Sequence, residues 1–445
     1  MRNFNTLHRA VAAIVAATAF AFSLYAQELP SKWYFGKAYH KNVSKSWRSE
    51  GVAVATDYGK ALLRAVKADG SMPDSCMFFR YRPMAGPMAA GDCLVMEFPK
   101  TNLPAGSFVE FDMTFAAEEG APSEWVFEYL DGGEWISGNT YKVYGSPFEK
   151  CHQYTSVLET VRLKNAADGT LKMRMRALES KPVKALSDAA ARAKGYVVLQ
   201  THAFLGAYAQ NLGTAAPKDT TKVLCVGNSF TYYYSCPALL KEIAWNEGHY
   251  LDLTAALKGG QNFGQHCSLD ITADAIARGG YDLAILQDQS QGPARFAQDR
   301  KQYCATFDNA IALAGKIRAS SPDCKFIVES TWSYAGKKED YGGFDTHKKF
   351  GKLNFKGSKI IAKSLSGAKV SLIHAAFALS RKERPDINLY ASDDKHQSLF
   401  GSYLKSCVNY LTIFGEPFGD NPADCGLEHD VAAYLRDVAE RVVLK

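Results

Sequence analysis

Closely paired cysteines are missing from this chain: ten Cys are spread at long, irregular spacings with no C-x-x-C. A zinc site built on paired thiolates is therefore not expected. The histidines His40, His152 and His202 are too scattered to suggest a metal. Charge of one sign is also scarce. Lys plus Arg is 52 against 46 Asp plus Glu, a net +6 over 445 residues. So mild an excess does not argue for nucleic acid. At 47% hydrophobic and 22% charged residues the composition excludes wholesale disorder, collagen and a disulfide miniprotein. Past the N-terminus, no stretch reaches the roughly 20 apolar residues that a bilayer-spanning helix needs.

The one long apolar run stands at the start. Arg2 and Arg9 precede Ala10 to Leu24, broken only by Thr18 and Ser23, and Ala26-Gln27 follow. The run is too short to span a bilayer and has the pattern of a secretory leader, residues 1–26, cut near Ala26. The expectation is an exported protein, periplasmic or extracellular. Cys76, Cys93 and Cys151 fall in the first half and seven cysteines, from Cys225 to Cys425, in the second. Both counts are odd. Either each half keeps a free thiol or one bridge joins them, and export permits disulfides.

The two halves differ in periodicity. In residues 27–209 the pattern is mostly period two. Val109, Phe111, Met113 and Phe115 alternate with Glu110, Asp112 and Thr114; Trp125, Phe127 and Tyr129 alternate likewise, as do Leu171, Met173 and Met175. Such alternation places one face on a core and the other in water. Pro104-Ala105-Gly106, Asp131-Gly132-Gly133 and Asp168-Gly169 supply turns. An all-β sandwich is expected, with Tyr196 to Leu205 as its last strand. Its tryptophans, Trp33, Trp47, Trp125 and Trp135, are candidates for stacking on sugar rings or for core packing. Residues 210–221 are polar, with Gly and Pro, and read as a linker.

From residue 222 to 445 strands alternate with helices. Strands are expected at Val223–Val226, Leu251–Ala256, Leu283–Leu286, Phe326–Val328 and Val370–Ile373. Helices are expected near Pro237–Ala244, Ile271–Ala277, Asn309–Ile317, Lys352–Ala362, Ser398–Ile413 and His429–Val442. This is the pattern of an α/β three-layer domain with a parallel, flavodoxin-like sheet. Ligands bind such sheets at the carboxyl ends of the strands.

Polar blocks stand there. Gly227-Asn228-Ser229 follows the first strand, Gly259-Gly260-Gln261-Asn262 the second and Gln287-Asp288-Gln289-Ser290 the third; Asp393-Asp394-Lys395-His396 precedes a late helix. Each alone also fits an ordinary turn. Together they supply a hydroxyl nucleophile, backbone and amide donors for an oxyanion, and a base with a carboxylate three residues before it. In order and type the blocks resemble the SGNH (GDSL-type) hydrolase superfamily over about residues 222–411, and an exported subgroup related to carbohydrate esterases. The resemblance implies Ser229 as nucleophile, His396 as base and Asp393 as its partner. It implies an oxyanion hole made by the N–H of Ser229, the N–H of Gly259 or Gly260, and Gln289 in place of the usual Asn, with Gln287 as the fallback. Asn228 stands where the family usually has Asp.

The expected activity is a secreted serine esterase that removes short acyl groups, chiefly acetyl, from carbohydrate or other small esters through an acyl-serine. That chemistry needs no metal and no organic cofactor. The alternatives are transfer of the acyl group to a sugar hydroxyl, and a binding protein without activity.

Overall fold

In a computed structural model, the structure describes residues 52–56, 59–73, 75–79, 82–145, 154–184, 195–199, 207–336 and 343–445. The candidate leader lies outside the described residues, as do Trp33, His40, Trp47, Cys151, His152 and His202.

The first half is antiparallel. One sheet runs β1 (Val52–Thr56), β2 (Gly59–Val66), β5 (Cys93–Leu103), β10 (Ala167–Ala177), β7 (Glu124–Asp131) and β8 (Glu134–Lys142). The other runs β12 (Ala207–Asn211), β6 (Phe108–Ala117), β11 (Val197–Leu199), β4 (Arg82–Gly86) and β3 (Ser75–Phe79), with β9 (Thr155–Arg162) also paired to β6. Both sheets feed one apolar cluster: Met96, Phe98, Phe127 and Met173 from the first meet Phe111, Met113 and Phe115 from the second. Trp125 is fully buried in it, edge-on to Phe115 at 5.7 Å, so its role is packing. Trp135 lies beneath the Arg174 guanidinium, 4.0 Å from its ring centre.

The alternation along β6 has an outcome that its sequence does not suggest. Glu110 and Asp112, the side opposite the core, are 2% and 3% exposed. They face the second half of the chain instead of water. The last strand also differs: residues Val197–Leu199 and Ala207–Asn211 form two separate strands, both paired to β6.

The second half carries a five-stranded parallel sheet: β14 (His249–Leu257), β13 (Asp219–Gly227), β15 (Leu283–Leu286), β16 (Lys325–Glu329) and β17 (Lys369–Ser371), in that spatial order. Strand β13 opens at Asp219, inside the stretch that reads as linker, because Asp219 to Lys222 pair with His249 to Asp252. Its consecutive residues serve both faces: Val223 and Cys225 join the cluster on one side, Leu224 and Val226 that on the other. A continuous apolar run is what a strand covered on both sides requires.

The helices are α1 (Ser229–Tyr232), α2 (Cys236–Asn246), α3 (Phe263–His266), α4 (Asp270–Ala277), α5 (Gly292–Gln298), α6 (Cys304–Ser320), α7 (His347–Ser364), α8 (Ile373–Glu383), α9 (Leu399–Phe414) and α10 (His429–Val443). The expected strand through Ile373 is shorter. The chain leaves the sheet at Ser371, and Ile373, Ala376 and Phe377, at helical spacing, bury the inner face of α8.

Because β13 lies between β14 and β15, the chain leaves it toward one side and returns on the other. That order opens a crevice at the carboxyl ends of the central strands. Ser229, Gly259 and Gln287 all follow strands that end there.

Cys93, Cys225 and Cys407 are among the described cysteines that are free thiols. Among the described residues no helix is long and apolar enough to cross a membrane, and no three His, Cys, Asp or Glu side chains are placed to hold a metal ion.

Candidate active site

Gly227 closes β13 where there is no room for a side chain: an added Cβ would stand 2.7 Å from Thr231 Oγ1 and 2.8 Å from Gln287 Oε1. Asn228 caps the following turn, its Oδ1 accepting from the Phe230 N–H at 3.1 Å. Its Nδ2 donates to Gln261 O at 2.8 Å and Asp288 O at 3.3 Å, so one buried amide ties the first three polar blocks together. Ser229 is thereby the first residue of α1, where a helical N–H has no acceptor within its own helix.

The fourth block arrives from the far end of the chain. Asp393 Oδ1 accepts from the N–H groups of Lys395 and His396, at 3.0 and 2.9 Å, while Oδ2 meets His396 Nδ1 at 2.5 Å. On the opposite side of the ring His396 Nε2 lies 2.8 Å from Ser229 Oγ. Burial pushes the Asp393 carboxyl up, but hydrogen bonds from the His396 ring and from the two backbone N–H groups outweigh it and hold the group far below the ordinary carboxylate range. An ionised carboxylate favours the proton on Nδ1 and leaves Nε2 as acceptor for the serine hydroxyl.

Two aromatic rings pack on the imidazole. Tyr233 stacks on His396 with ring centres 4.3 Å apart and planes 10° apart, and Phe230 meets it edge-on at 5.4 Å. Phe230 in turn stacks on Trp332 at 4.5 Å, and Trp332 Nε1 donates to the carbonyl of Lys395 at 2.9 Å. The loop carrying His396 is further pinned by the Ala335 N–H on Asp394 O, at 2.8 Å.

Below α1 lies a buried polar layer. Lys405 Nζ donates to Phe230 O at 2.8 Å and Thr231 Oγ1 at 3.1 Å and pairs with Glu329 at 2.7 Å, both side chains 1% exposed. Gln397 Nε2 donates to Phe230 O at 3.1 Å. The carbonyl end of the Ser229 turn is thus held by donors from α9 and from the residue after His396.

The two glutamines separate clearly. Gln287 is 1% exposed; its Oε1 accepts from the Asn228 N–H at 2.9 Å and from Thr231 Oγ1 at 3.1 Å, and its Nε2 donates to Asp288 O. These bonds brace the turn after β13 through Gln287. Gln289 is half-buried. Its Oε1 accepts from the Gln291 N–H at 2.9 Å, and its Nε2 has only a long contact, 3.4 Å, to Ser290 Oγ. Gly259 and Gly260 form the turn after β14. Gly260 adopts φ +72°, which suits glycine, and Gly259 O accepts from Gln261 Nε2 at 3.1 Å. A separate cavity of about 380 Å³, lined by Tyr141, Lys142, Tyr144, Asp274 and Arg278 among others, lies between the two halves and includes no residue of the Ser229–His396–Asp393 array.

Phe230, Tyr233, Trp332, Gln397 and Lys405 belong to the site but carry no sequence signal. Aromatic and amide residues next to a motif look like ordinary core and cap residues, and Trp332 and Lys405 reach the site only through the fold.

No protein-family model matches the chain, and no curated protein matches it. Several solved structures are similar. A DUF4886 family protein from Bacteroides uniformis is 18% identical over 51% of this chain and 95% of its own, with a TM-score of 0.42. A protein from Slackia heliotrinireducens, described as an SGNH hydrolase, is 24% identical over 44% of this chain and 99% of its own, with a TM-score of 0.37. A family two carbohydrate esterase from Cellvibrio japonicus is 11% identical over 85% of this chain and 99% of its own, with a TM-score of 0.33.

Proposed function

We propose that this chain is a serine-dependent carboxylic ester hydrolase of SGNH type. The observation that carries the reading is the continuous array Ser229 Oγ–His396 Nε2 at 2.8 Å and His396 Nδ1–Asp393 Oδ2 at 2.5 Å, assembled from residues 167 positions apart. In this reading His396 Nε2 takes the Ser229 proton as Oγ attacks the ester carbonyl. The tetrahedral oxyanion accepts from the N–H of Ser229, from an N–H of Gly259 or Gly260 and from Gln289 Nε2. His396 then returns the proton to the leaving alkoxide, which departs as an alcohol and leaves an acyl-serine. Water, deprotonated by the same imidazole, releases the acid. Asp393 stays ionised throughout and stabilises the imidazolium.

The finer parts of the proposal are export after loss of residues 1–26, an N-terminal β-sandwich domain, and a short acyl group, acetyl first, on a carbohydrate. They rest on the leader pattern, the period-two strands and the resemblance of the four polar blocks. The test is labelling with a fluorophosphonate probe followed by peptide mapping. Modification of Ser229 in the wild-type chain, and loss of p-nitrophenyl acetate hydrolysis by ~10⁶ in Ser229→Ala, are expected. An unlabelled Ser229, or near-wild-type turnover in Ser229→Ala, overturns the assignment.

A further inference from the structure

The turn that follows the nucleophile is held from two sides, and one of them is the N-terminal half. Tyr234 and Ser235 lie consecutively in the left-handed region, at φ 53° and 48°. There Cβ crowds the backbone, and residues with side chains remain only where their surroundings hold them. From the hydrolase side Ser402 Oγ donates to Tyr233 O at 3.2 Å, and Gln397 Nε2 reaches the same carbonyl at 3.5 Å. From the N-terminal side Ser235 Oγ donates to Asp112 Oδ2 at 2.7 Å, and Tyr154 packs edge-on to Tyr232 at 5.4 Å. Tyr233, between these anchors, is the ring stacked on His396.

We propose that Asp112 is a positioning residue for the catalytic base. Strand β6 fixes Ser235 through Asp112. Ser235 fixes the left-handed turn, the turn sets the plane of Tyr233, and Tyr233 sets the plane of the imidazole facing Ser229 Oγ. This also gives a reason for a buried carboxylate on the side of β6 whose alternation predicts water. The N-terminal half is then a working part of the active site. The inference rests on the reading of Ser229 and His396 as nucleophile and base.

The experiment uses the full chain, with steady-state hydrolysis of p-nitrophenyl acetate and the rate of fluorophosphonate labelling, both measured well below the melting temperature. Asp112→Ala and Ser235→Ala should each lower kcat and the labelling rate by about ten- to a hundredfold with KM nearly unchanged, the scale on which small misplacements act. Asp112→Asn, which keeps an acceptor oxygen, should recover most of the loss. Gln210→Ala removes a different bond across the same boundary, Gln210 Nε2 to Glu242 Oε1 at 3.2 Å, and should leave kcat unchanged. Should Asp112→Ala fail to fold, Ser235→Ala alone decides, because Ser235 is only half-buried. Wild-type kcat and labelling in Ser235→Ala overturn the inference, as does an equal loss in Gln210→Ala or no recovery in Asp112→Asn. In those cases wild-type labelling at Ser229 leaves the nucleophile reading standing. An unlabelled wild-type chain takes both down together.

Discussion

Replacing Asp393 by Asn tests the triad at its most informative point, because the loop dictates which way the new amide faces. The Oδ1 position accepts from two backbone N–H groups, those of Lys395 and His396. An asparagine that turned its NH₂ toward them would set donor against donor. Its oxygen therefore stays on the backbone, and its Nδ2 faces His396 Nδ1. That ring nitrogen must then accept, the ring proton moves to Nε2, and Nε2 no longer accepts from Ser229 Oγ. In a fully buried triad the wrong tautomer costs ~10⁴ in kcat. Here the Asp393 side chain is 45% exposed, so water screens part of the carboxylate–imidazolium attraction that is lost. A loss of ~10³ in kcat with little change in KM is expected. Asp394→Asn is the matched control. Asp394 has φ 58°, a conformation asparagine tolerates, and its carbonyl anchors Ala335 whichever side chain is present. Initial rates on p-nitrophenyl acetate, with melting temperatures to show intact folding, measure both. A kcat within threefold of wild type for Asp393→Asn, or a larger loss for Asp394→Asn, refutes the reasoning.

The glutamines should divide by observable. Gln287→Ala should lower stability by ~1–3 kcal/mol, because the Asn228 N–H loses its buried acceptor, whereas Gln289→Ala should keep its melting temperature and lose ~10² in kcat; equal, minor losses of kcat in both would leave only backbone donors in the oxyanion hole. Burial holds His266, His347 and His374 at about 4, below the 6.5 of an exposed imidazole, so the unfolded chain binds more protons between those values. Their contribution to stability is lost as pH falls from about 6.5 to 4, and a thermal midpoint unchanged over that window in a chain with all three would count against their buried, neutral state. Burial pushes Asp288 the other way, up to about 7, so its ionisation on unfolding lowers stability as pH rises from about 4 to 7. Asp288→Asn should therefore gain stability over wild type across that range and level off above it, and a pH-independent difference in melting temperature would contradict the assignment.

The parallel sheet is readable in the sequence because its strands are short apolar runs buried on both faces, and because helical spacing resumes after each. The same rule fails at Val370–Ile373. Four apolar or small residues fit a buried strand or a helix start equally well, and only the position of the sheet edge separates them. On β6 the pattern is read correctly as alternating, and the inward face is right. The outward face is misjudged because alternation distinguishes two sides of a strand without saying what covers the second. Glu110 shows the difficulty in its strongest form. It is buried against Lys241 of α2, 2.9 Å away, a pairing between residues more than a hundred positions apart. A carboxylate so paired looks, in sequence, like any residue facing water.

For the candidate site, Ser229, His396 and Asp393 stand out in the sequence because the proposed chemistry demands particular atoms at strand ends and at a fixed three-residue spacing. What holds them in line does not, since it follows from packing. Phe230 and Tyr233 both follow Ser229 closely in sequence and both contact His396 in space, yet nothing in a Ser-Phe-Thr-Tyr-Tyr run says that two of its rings will meet a residue 167 positions beyond its serine. The buried layer beneath α1 has the same origin. Lys405 is legible only as a polar interruption of an apolar helix, an apparent fault in the pattern. With Glu329 and the carbonyl of Phe230 in place it becomes the group that satisfies the end of the Ser229 turn. A charge this deep is tolerated only when its partners are fixed by the fold. Lys405→Met therefore serves as a measure of that requirement. It removes the pair's positive member, leaves Glu329 unpaired, and should cost about 3–5 kcal/mol in chemical denaturation. A loss below about 1 kcal/mol would mean that the Ser229 turn does not depend on the layer below it.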